Sequence, residues 1–351
     1  MRYGFWLPIF GGWLRNVDDE SMPPTFEYAK QVAVQAERMG YDVTLIAELY
    51  LNDIKGPQEP SLEAWTTASA IAAVTEKLEI MTAIRPAYHN PAVAAKMAAN
   101  IDQLSKGRFT LNVVSAWWAE EARQYGGIFT EHDDRYARTR EFLEVMKGMW
   151  TQDSFTYEGE RYRIQNARLQ PKPVQQPYPR LYAGGESEAG KDMIASLCDA
   201  YVMHGGTVEE VAQKISDMRA RRERKGLPPL ASFGMAAYVI CRDTLEEAQA
   251  ELERITTLRP GDAYASMDDF VQMSQLEQQI RLYDYSVSNR GLRPQLIGTP
   301  DMIAHRIVEY EQAGLDLLLL QCSPQLEEMK RFAEQVMPRV AELRRTADIT
   351  A

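Results

Sequence analysis

Cysteine is scarce in this chain: Cys198, Cys241 and Cys322 are the only three in 351 residues. They are far apart and odd in number, and no CxxC or Cys/His spacing joins them. Neither a disulfide framework nor a zinc site is therefore implied, and each reads as a small packed residue. The four histidines, His89, His132, His204 and His305, are too scattered for a metal site. Basic charge is also in deficit: 39 Lys and Arg stand against 50 Asp and Glu, a net charge of −11. That balance argues against a nucleic-acid binder and disfavours attraction to anionic membranes. No apolar run approaches the roughly 18 residues of a membrane span, and no secretory leader opens the chain, because Met1–Trp6 already reads as a strand. A cytoplasmic protein is expected. No GxGxxG follows the first strand, where Gly11-Gly12 stands alone. The dinucleotide fingerprint of an open doubly wound sheet is thus missing.

What is present is a long alternation of short apolar strands and amphipathic helices. Hydrophobic residues make up 45% and charged residues 25%, values of a globular enzyme with a large core. Strands are expected at Tyr3–Ile9, Asp42–Ile46, Leu78–Ala83, Arg108–Val114, Arg180–Ala183, Ala200–Met203, Phe233–Cys241 and Leu317–Gln321. Helices separate them, one running from an N-cap at Ser61 to about Val74 and another over Asp134–Trp150. Eight such β/α repeats imply a closed parallel TIM (β/α)8 barrel with insertions, read as a single domain over residues 1–351. The rhythm breaks twice. About 151–179 holds a small hairpin at Tyr157–Tyr162 and a proline-rich stretch. About 257–295 is too long for an ordinary connection and, with Arg290 and Arg293 in a Ser/Asn/Gly context, reads as a lid before the last strand.

Barrel active sites collect at the carboxyl ends of the strands. Here those ends carry Glu48, Thr82 with Arg85, Asn112 through Trp118, Gly184-Gly185-Glu186-Ser187, His204 and Cys322-Ser323. Asn112 is out of place in an apolar strand unless its amide has a specific partner, because a buried unpaired amide costs roughly 1–3 kcal/mol. Of Trp117 and Trp118, adjacent near a strand end, one is expected to line the pocket. The Gly-Gly-Glu-Ser turn lets backbone approach closely, and the helix N–H groups behind it attract phosphate. Phosphate binding there requires the carboxylates of Glu186 and Glu188 to turn outward. His132, Arg135 and Tyr136 offer further donors, although alone that cluster also reads as a solvated helix start capped by Asp133 or Asp134. No close carboxylate pair, Ser-His-Asp pattern or metal cluster is visible, and none is expected. A mouth without obvious protein chemistry points to a bound organic cofactor.

The collinear order of Asn112-Val113-Val114-Ser115-Ala116-Trp117, Glu131-His132-Asp133-Asp134-Arg135-Tyr136, Lys147-Gly148-Met149-Trp150-Thr151, Gly184-Gly185-Glu186-Ser187 and Leu296-Ile297-Gly298-Thr299-Pro300 resembles the bacterial luciferase-like flavin monooxygenases. Within them it is similar to the group of alkanesulfonate, methanesulfonate and dimethylsulfone monooxygenases and to the related pyrimidine monooxygenase. The resemblance implies FMN, delivered as FMNH2 by a separate NAD(P)H-dependent flavin reductase, and oxygenation of a small molecule with O2 through a flavin peroxide. By position it implies that Asn112 holds the flavin ring with Thr82 beside it, that Ala47 and Glu48 lie near the ring or ribityl chain, and that Glu121 completes the wall. His132, Arg135, Tyr136, Gly185 and Ser187 would bind the phosphate end. The resemblance also implies a homo-oligomer, a dimer or tetramer.

Departures from the alkanesulfonate enzymes bear on the substrate. Their strand-seven Arg-x-His is replaced by Ala236-Ala237-Tyr238-Val239-Ile240, and the Tyr and His after strand eight by Ser323 and Gln325. Arg85, Trp117, Arg290 and Arg293 are the remaining candidates for substrate contact, and Tyr238 or His204 for proton transfer. A sulfonate needs fixed positive charge to offset its desolvation, so a neutral sulfone fits better. Cleavage of a C–S bond in a sulfone or sulfonate is the expected reaction. Oxygenation of a pyrimidine-like heterocycle stays open on the N-terminal Gly11–Glu27 motifs, as do a deazaflavin oxidoreductase and a non-catalytic flavin-binding protein.

Overall fold

The computed structural model describes residues 1–115, 118–258 and 285–350, apart from the side chains of His132 and of residues 347–350. Trp117 and the stretch 259–284, most of the expected lid, lie outside the described residues.

Eight parallel strands close into a barrel: β1 (Arg2–Trp6), β2 (Val43–Ile46), β3 (Glu79–Ile84), β4 (Phe109–Val113), β7 (Leu181–Ala183), β8 (Ala200–Met203), β9 (Ser232–Cys241) and β11 (Leu317–Gln321). The ring is sealed where β8 pairs with β9 and β11 with β1. Because side chains alternate along a strand, each strand has an inner and an outer set. The inner set meets in one small cluster: Trp6, Val43, Leu45, Met81, Tyr182, Ala200, Val202, Leu317 and Leu319. The outer set, including Phe5, Ile46, Ile80, Ile84, Leu111, Val113, Tyr201, Met203, Leu318 and Leu320, packs against the helices.

Those helices start where the sequence supplies caps. Thr25 caps α1 (Phe26–Arg38) and Asn90 caps α3 (Pro91–Leu104), with Pro91 in its first turn. Thr207 with Glu210 and Thr244 with Glu247 form capping boxes for α7 (Val208–Arg224) and α8 (Leu245–Thr256). The expectation of Ser61 as a cap is corrected: α2 (Ala64–Val74) begins at Glu63, whose carboxylate accepts from the N–H groups of Trp65 and Thr66. A carboxylate reaching two donors suits the positive helix end better than a hydroxyl reaching one. A short additional strand, β10 (Leu296–Gly298), pairs with the outer stretch of β9, and α9 (Pro300–Gln312) follows it. The repeat count had passed over both, because three residues carry no legible period. After β11 the chain ends in α10 (Gln325–Arg331), a π-turn at Phe332–Val336 and α11 (Met337–Thr350). Cys198, Cys241 and Cys322 are all free and buried, and no described helix is long and apolar enough to cross a membrane.

Between β4 and β7 come α4 (Ala119–Tyr125), α5 (His132–Thr151) and the expected hairpin, β5 (Phe155–Glu158) with β6 (Arg163–Ala167). Arg161 in its turn is ion-paired to Asp134 and Glu141, which holds the hairpin against α5. The hairpin's Phe155 ring lies on Gly148, where an added Cβ would stand 2.0 Å from Cε2. Alanine normally improves a helix by about 1 kcal/mol over glycine. Here the overlap dominates, and Gly148→Ala is expected to lower stability by about 1–3 kcal/mol, read as a reduced urea midpoint. A raised midpoint would show that the hairpin is not packed on α5 as described.

Candidate functional site

One side of the barrel mouth is built around Arg85, which follows β3 and is 1% exposed. Its guanidinium is ion-paired to Glu121 of α4, with a second bond from Nη2 to Oε1 at 3.2 Å. Glu48, at the end of β2, stands 3.7 Å from Nε, and the rings of Tyr50 and Tyr88 flank the cation at 5.3 and 4.4 Å. Glu121 also accepts from the backbone N–H of Tyr50 at 2.6 Å and from the Tyr88 hydroxyl at 3.1 Å. Glu48 accepts from the Arg85 N–H and meets His89 Nε2, each at 2.6 Å. Burial is the largest single influence and opposes the charge of Arg85, yet the bond to Glu121 and the charges of Glu121 and Glu48 together outweigh it and the pKa is raised. Arg85, expected to contact substrate, is thus held by carboxylates, and it ties the ends of β2 and β3 to α4.

The second side is the turn between β7 and α6 (Glu188–Leu197). Ser187 caps α6, accepting from Gly190 N–H at 3.2 Å. Tyr136 of α5 leans over the turn, so that a Cβ added at Gly185 or Gly190 would lie 3.2 or 2.9 Å from its hydroxyl. Tyr201 donates to the Gly185 carbonyl at 2.9 Å. Both neighbouring carboxylates are turned away, as phosphate binding demands. Glu186 is paired with Lys214 and Arg290, each at 2.5 Å, and Glu188 with Arg221 at 2.8 Å. Despite burial, His204, Arg290 and Lys214 hold the Glu186 carboxyl well below its usual range. Arg135 lies over the Phe129 ring at 4.7 Å. His132 supplies the first residue of α5.

Arg290 and Arg293, expected to face substrate, are also committed. Arg290 bonds Glu186 and His204 Nδ1, the latter at 2.8 Å, and Arg293 is paired with Glu210. Arginine has no acceptor to offer, so His204 accepts at Nδ1 and carries its proton on Nε2. Burial, and then the Arg290 charge, push its pKa down to about 4. His204 is thus a neutral, fixed imidazole at the end of β8, poorly suited to passing protons near neutrality.

Between the two sides lie the inner strand ends. Asn112 on β4 is aligned with Tyr182 on β7, next to the Gly184 turn, and its Oδ1 is buried without a partner. Thr82 is placed differently from Asn112: it alternates with the inward Met81 and Ala83 and faces the helices, its hydroxyl also unpartnered. Ala47 follows β2 and is half-buried. Tyr238 on β9 is buried with an unpartnered hydroxyl, and the same is true of Trp6 Nε1 and Gln321 Nε2. Trp6 and Gln321 were missed in the sequence. Gln321 closes a run of four leucines, the same signal that singled out Asn112. Among the described residues no group of three or more His, Cys, Asp or Glu is placed to hold a metal.

Comparison with known proteins adds an independent line. Residues 1–317 match the family model of the luciferase-like monooxygenases. The chain is similar to the FMNH2-dependent dimethylsulfone monooxygenase of Pseudomonas putida, 35% identical over 98% of this chain and 96% of the relative. That of Pseudomonas fluorescens (strain Pf0-1) is 33% identical over 98% and 95%. Among solved structures, riboflavin lyase with modified FMN and riboflavin superposes with a TM-score of 0.82 at 22% identity, covering 97% of this chain and 91% of that one. DmoA from Hyphomicrobium sulfonivorans superposes at 0.78 and 20% identity, covering 99% and 88%.

Two measurements check this geometry. Glu121→Gln leaves the buried Arg85 without its main counter-charge and is expected to cost about 3–5 kcal/mol of stability, whereas the joint replacement Arg85→Met with Glu121→Leu costs much less. Equal losses would mean that the pair is not the tie described. His204 titrates at about 4 in the fold against an ordinary 6.5. Its contribution to stability is therefore complete above that ordinary value and is lost as pH falls toward 4. Urea titrations across this window should show a shallower pH slope in His204→Asn, and an unchanged slope would count against the neutral imidazole.

Proposed function

The chain belongs to the luciferase-like monooxygenase family, and we propose that within it the protein is an FMNH2- and O2-dependent two-component monooxygenase acting on a small, uncharged sulfone. The observation that carries this reading is the neutralisation of the mouth. Arg85, Arg290 and Arg293 are each held by a carboxylate. An anionic sulfonate entering such a pocket would lose its hydration without gaining a counter-charge from any of these three arginines. A sulfone carries two sulfonyl oxygens and no charge, and both curated relatives are named for dimethylsulfone.

The residues fit a flavin. Asn112 offers a buried, unpartnered amide oxygen at the rim, suited to an N–H on the edge of the ring. The Gly184–Ser187 turn offers close backbone and the N-terminus of α6, with both acidic neighbours drawn off by cations. Tyr136 and Arg135 flank it from α5, and Ser187 caps the helix. When bound, reduced FMN would supply the two electrons that activate O2, one oxygen atom of which goes to the substrate while the other leaves as water. The protein's part is positioning and dryness. The inner layer of Leu45, Met81, Tyr182 and Leu319 closes the barrel beneath the site, so water is excluded from below. A separate flavin reductase delivers the reduced cofactor, and association into a homo-oligomer in the cytoplasm completes the proposal.

The direct test pairs the protein with a flavin reductase, NADH and FMN, and follows depletion of dimethylsulfone, methanesulfonate and uracil separately. Loss of dimethylsulfone alone is expected. Consumption of uracil alone overturns the organosulfur reading, and tight FMN binding without coupled O2 uptake would leave a binding protein. Asn112→Leu should weaken reduced FMN roughly tenfold, the equivalent of one hydrogen bond. It should leave unfolding stability unchanged or raised, because an orphaned group is removed.

A further inference from the structure

We propose that Trp6, Gln321 and Tyr238 form the wall that reads the oxygens of a neutral sulfonyl substrate, a proposal that rests on the function put forward above. Strand β11 runs between β1 and β9, with Phe5 aligned to Leu320 and Gln321 aligned to Tyr238. Carrying the parallel register one residue further sets Trp6 beside Gln321. The three residues thus stand abreast on neighbouring strands, and alternation puts Gln321 on the face of Leu317 and Leu319 and Tyr238 on the face of Ala236, although Tyr238 also belongs to the larger buried cluster. Each presents a donor, the indole Nε1, the amide Nε2 and the phenol Oη, and each of these atoms is buried without a partner. Gln321 and Tyr238 are both 1% exposed. Burial holds Tyr238 well above its ordinary pKa, so its hydroxyl stays protonated.

Buried donors are almost always satisfied, and a single exception in a native fold calls for a reason. Three exceptions side by side, at the carboxyl end of a barrel, describe a surface awaiting a ligand. The donors are neutral, so the ligand must bring acceptors and need bring no charge. A sulfone brings two oxygens and no N–H. A pyrimidine brings N–H groups as well, and of the three unpartnered atoms only the phenol oxygen could accept from them.

Placement agrees with the chemistry. Around the ring the order β11-β1-β2-β3-β4 takes four steps from Gln321 to Asn112, and β11-β9-β8-β7-β4 takes four in the other direction. The donor wall therefore stands directly across the mouth from the flavin-side amide. A small ligand held on this wall lies between the two. The end of β1 is also braced: Gln325 Nε2 donates to the Trp6 carbonyl at 2.8 Å while its Oε1 accepts from Trp13 Nε1 at 2.9 Å.

The test uses binding as well as turnover. In ¹H–¹⁵N spectra of the intact protein, the Trp6 indole resonance, assigned by its loss in Trp6→Phe, should shift on adding dimethylsulfone. Dimethyl sulfide, which lacks the oxygens, should need at least roughly a hundredfold more to act. Tyr238→Phe and Gln321→Leu should each raise half-saturating dimethylsulfone roughly 3- to 10-fold. In turnover the same change should appear in KM with kcat nearly kept. Tyr238→Phe should also raise the melting temperature, because it removes an orphaned hydroxyl; a merely structural tyrosine would lower it. An indole that ignores dimethylsulfone, or sulfide binding as well as sulfone, overturns the donor wall. If the indole responds but no dimethylsulfone is consumed, the wall stands and the proposed reaction fails instead.

Discussion

The constraint on which this site depends is that a charge taken out of water must be matched. Arg85 is the clearest instance. A guanidinium 1% exposed is stable only because Glu121 reaches it with both oxygens and Glu48 stands behind. Since Glu121 also accepts from Tyr50 and Tyr88, the same carboxylate that neutralises the cation joins β3, the loop after β2 and α4. Charge matching and architecture are one device here. Its consequence for recognition is that the described rim presents hydrogen-bond donors and acceptors while Arg85, Arg290 and Arg293 stay committed to carboxylates.

A similar exchange operates at the Gly184–Ser187 turn. Glu186 follows directly on the glycines that leave room for a ligand, and an unpaired carboxylate there would repel any phosphate. Lys214 and Arg290 hold it aside. Arg290 in turn fixes the tautomer of His204. The segment that carries Arg290 is pinned as well, since Gly205 donates to the Asn289 carbonyl and Tyr238 to that of Gly291. The turn, the end of β8 and the end of β9 are therefore linked through charge and backbone.

Much of the scaffold was legible in the chain because strands and helices announce themselves by period. Ala200–Met203 and Leu317–Gln321 appear with the boundaries their apolar runs suggest, and the hairpin near Tyr157 appears where turn residues interrupt the pattern. The strand Leu296–Gly298 was not legible as a strand, because three residues are too few to show alternation. At the site, Asn112 stood out as a polar residue in an apolar strand. Gln321 obeys the same rule and was passed over, since it ends its run and resembles a boundary. Arg85 was found, but its partner lies 36 residues away on a helix, and no local pattern reveals a pairing at that distance. Thr82 illustrates the converse: its place in the chain suggested the pocket, while the two-residue repeat of β3 turns it toward the helices.

The division of the mouth follows from the closed ring itself. In an open sheet the ends of β4 and β11 would lie far apart and on a line, and no small ligand could touch both. Closure through β8 and β9 brings them face to face across the mouth. In the proposed reading, Asn112 would address a flat, hydrogen-bonding cofactor from one wall while Trp6, Gln321 and Tyr238 would address a compact acceptor from the other. The hydrophobic layer beneath, in which Leu317 and Leu319 of β11 meet Val43, Leu45 and Met81, sets the floor. Its aliphatic side chains offer a ligand no competing hydrogen bond, so polar recognition falls to the strand ends alone. Under the proposed function, specificity among sulfur compounds would then turn on how many oxygens a molecule presents, and on whether it carries a charge that Arg85, Arg290 and Arg293 are not free to match.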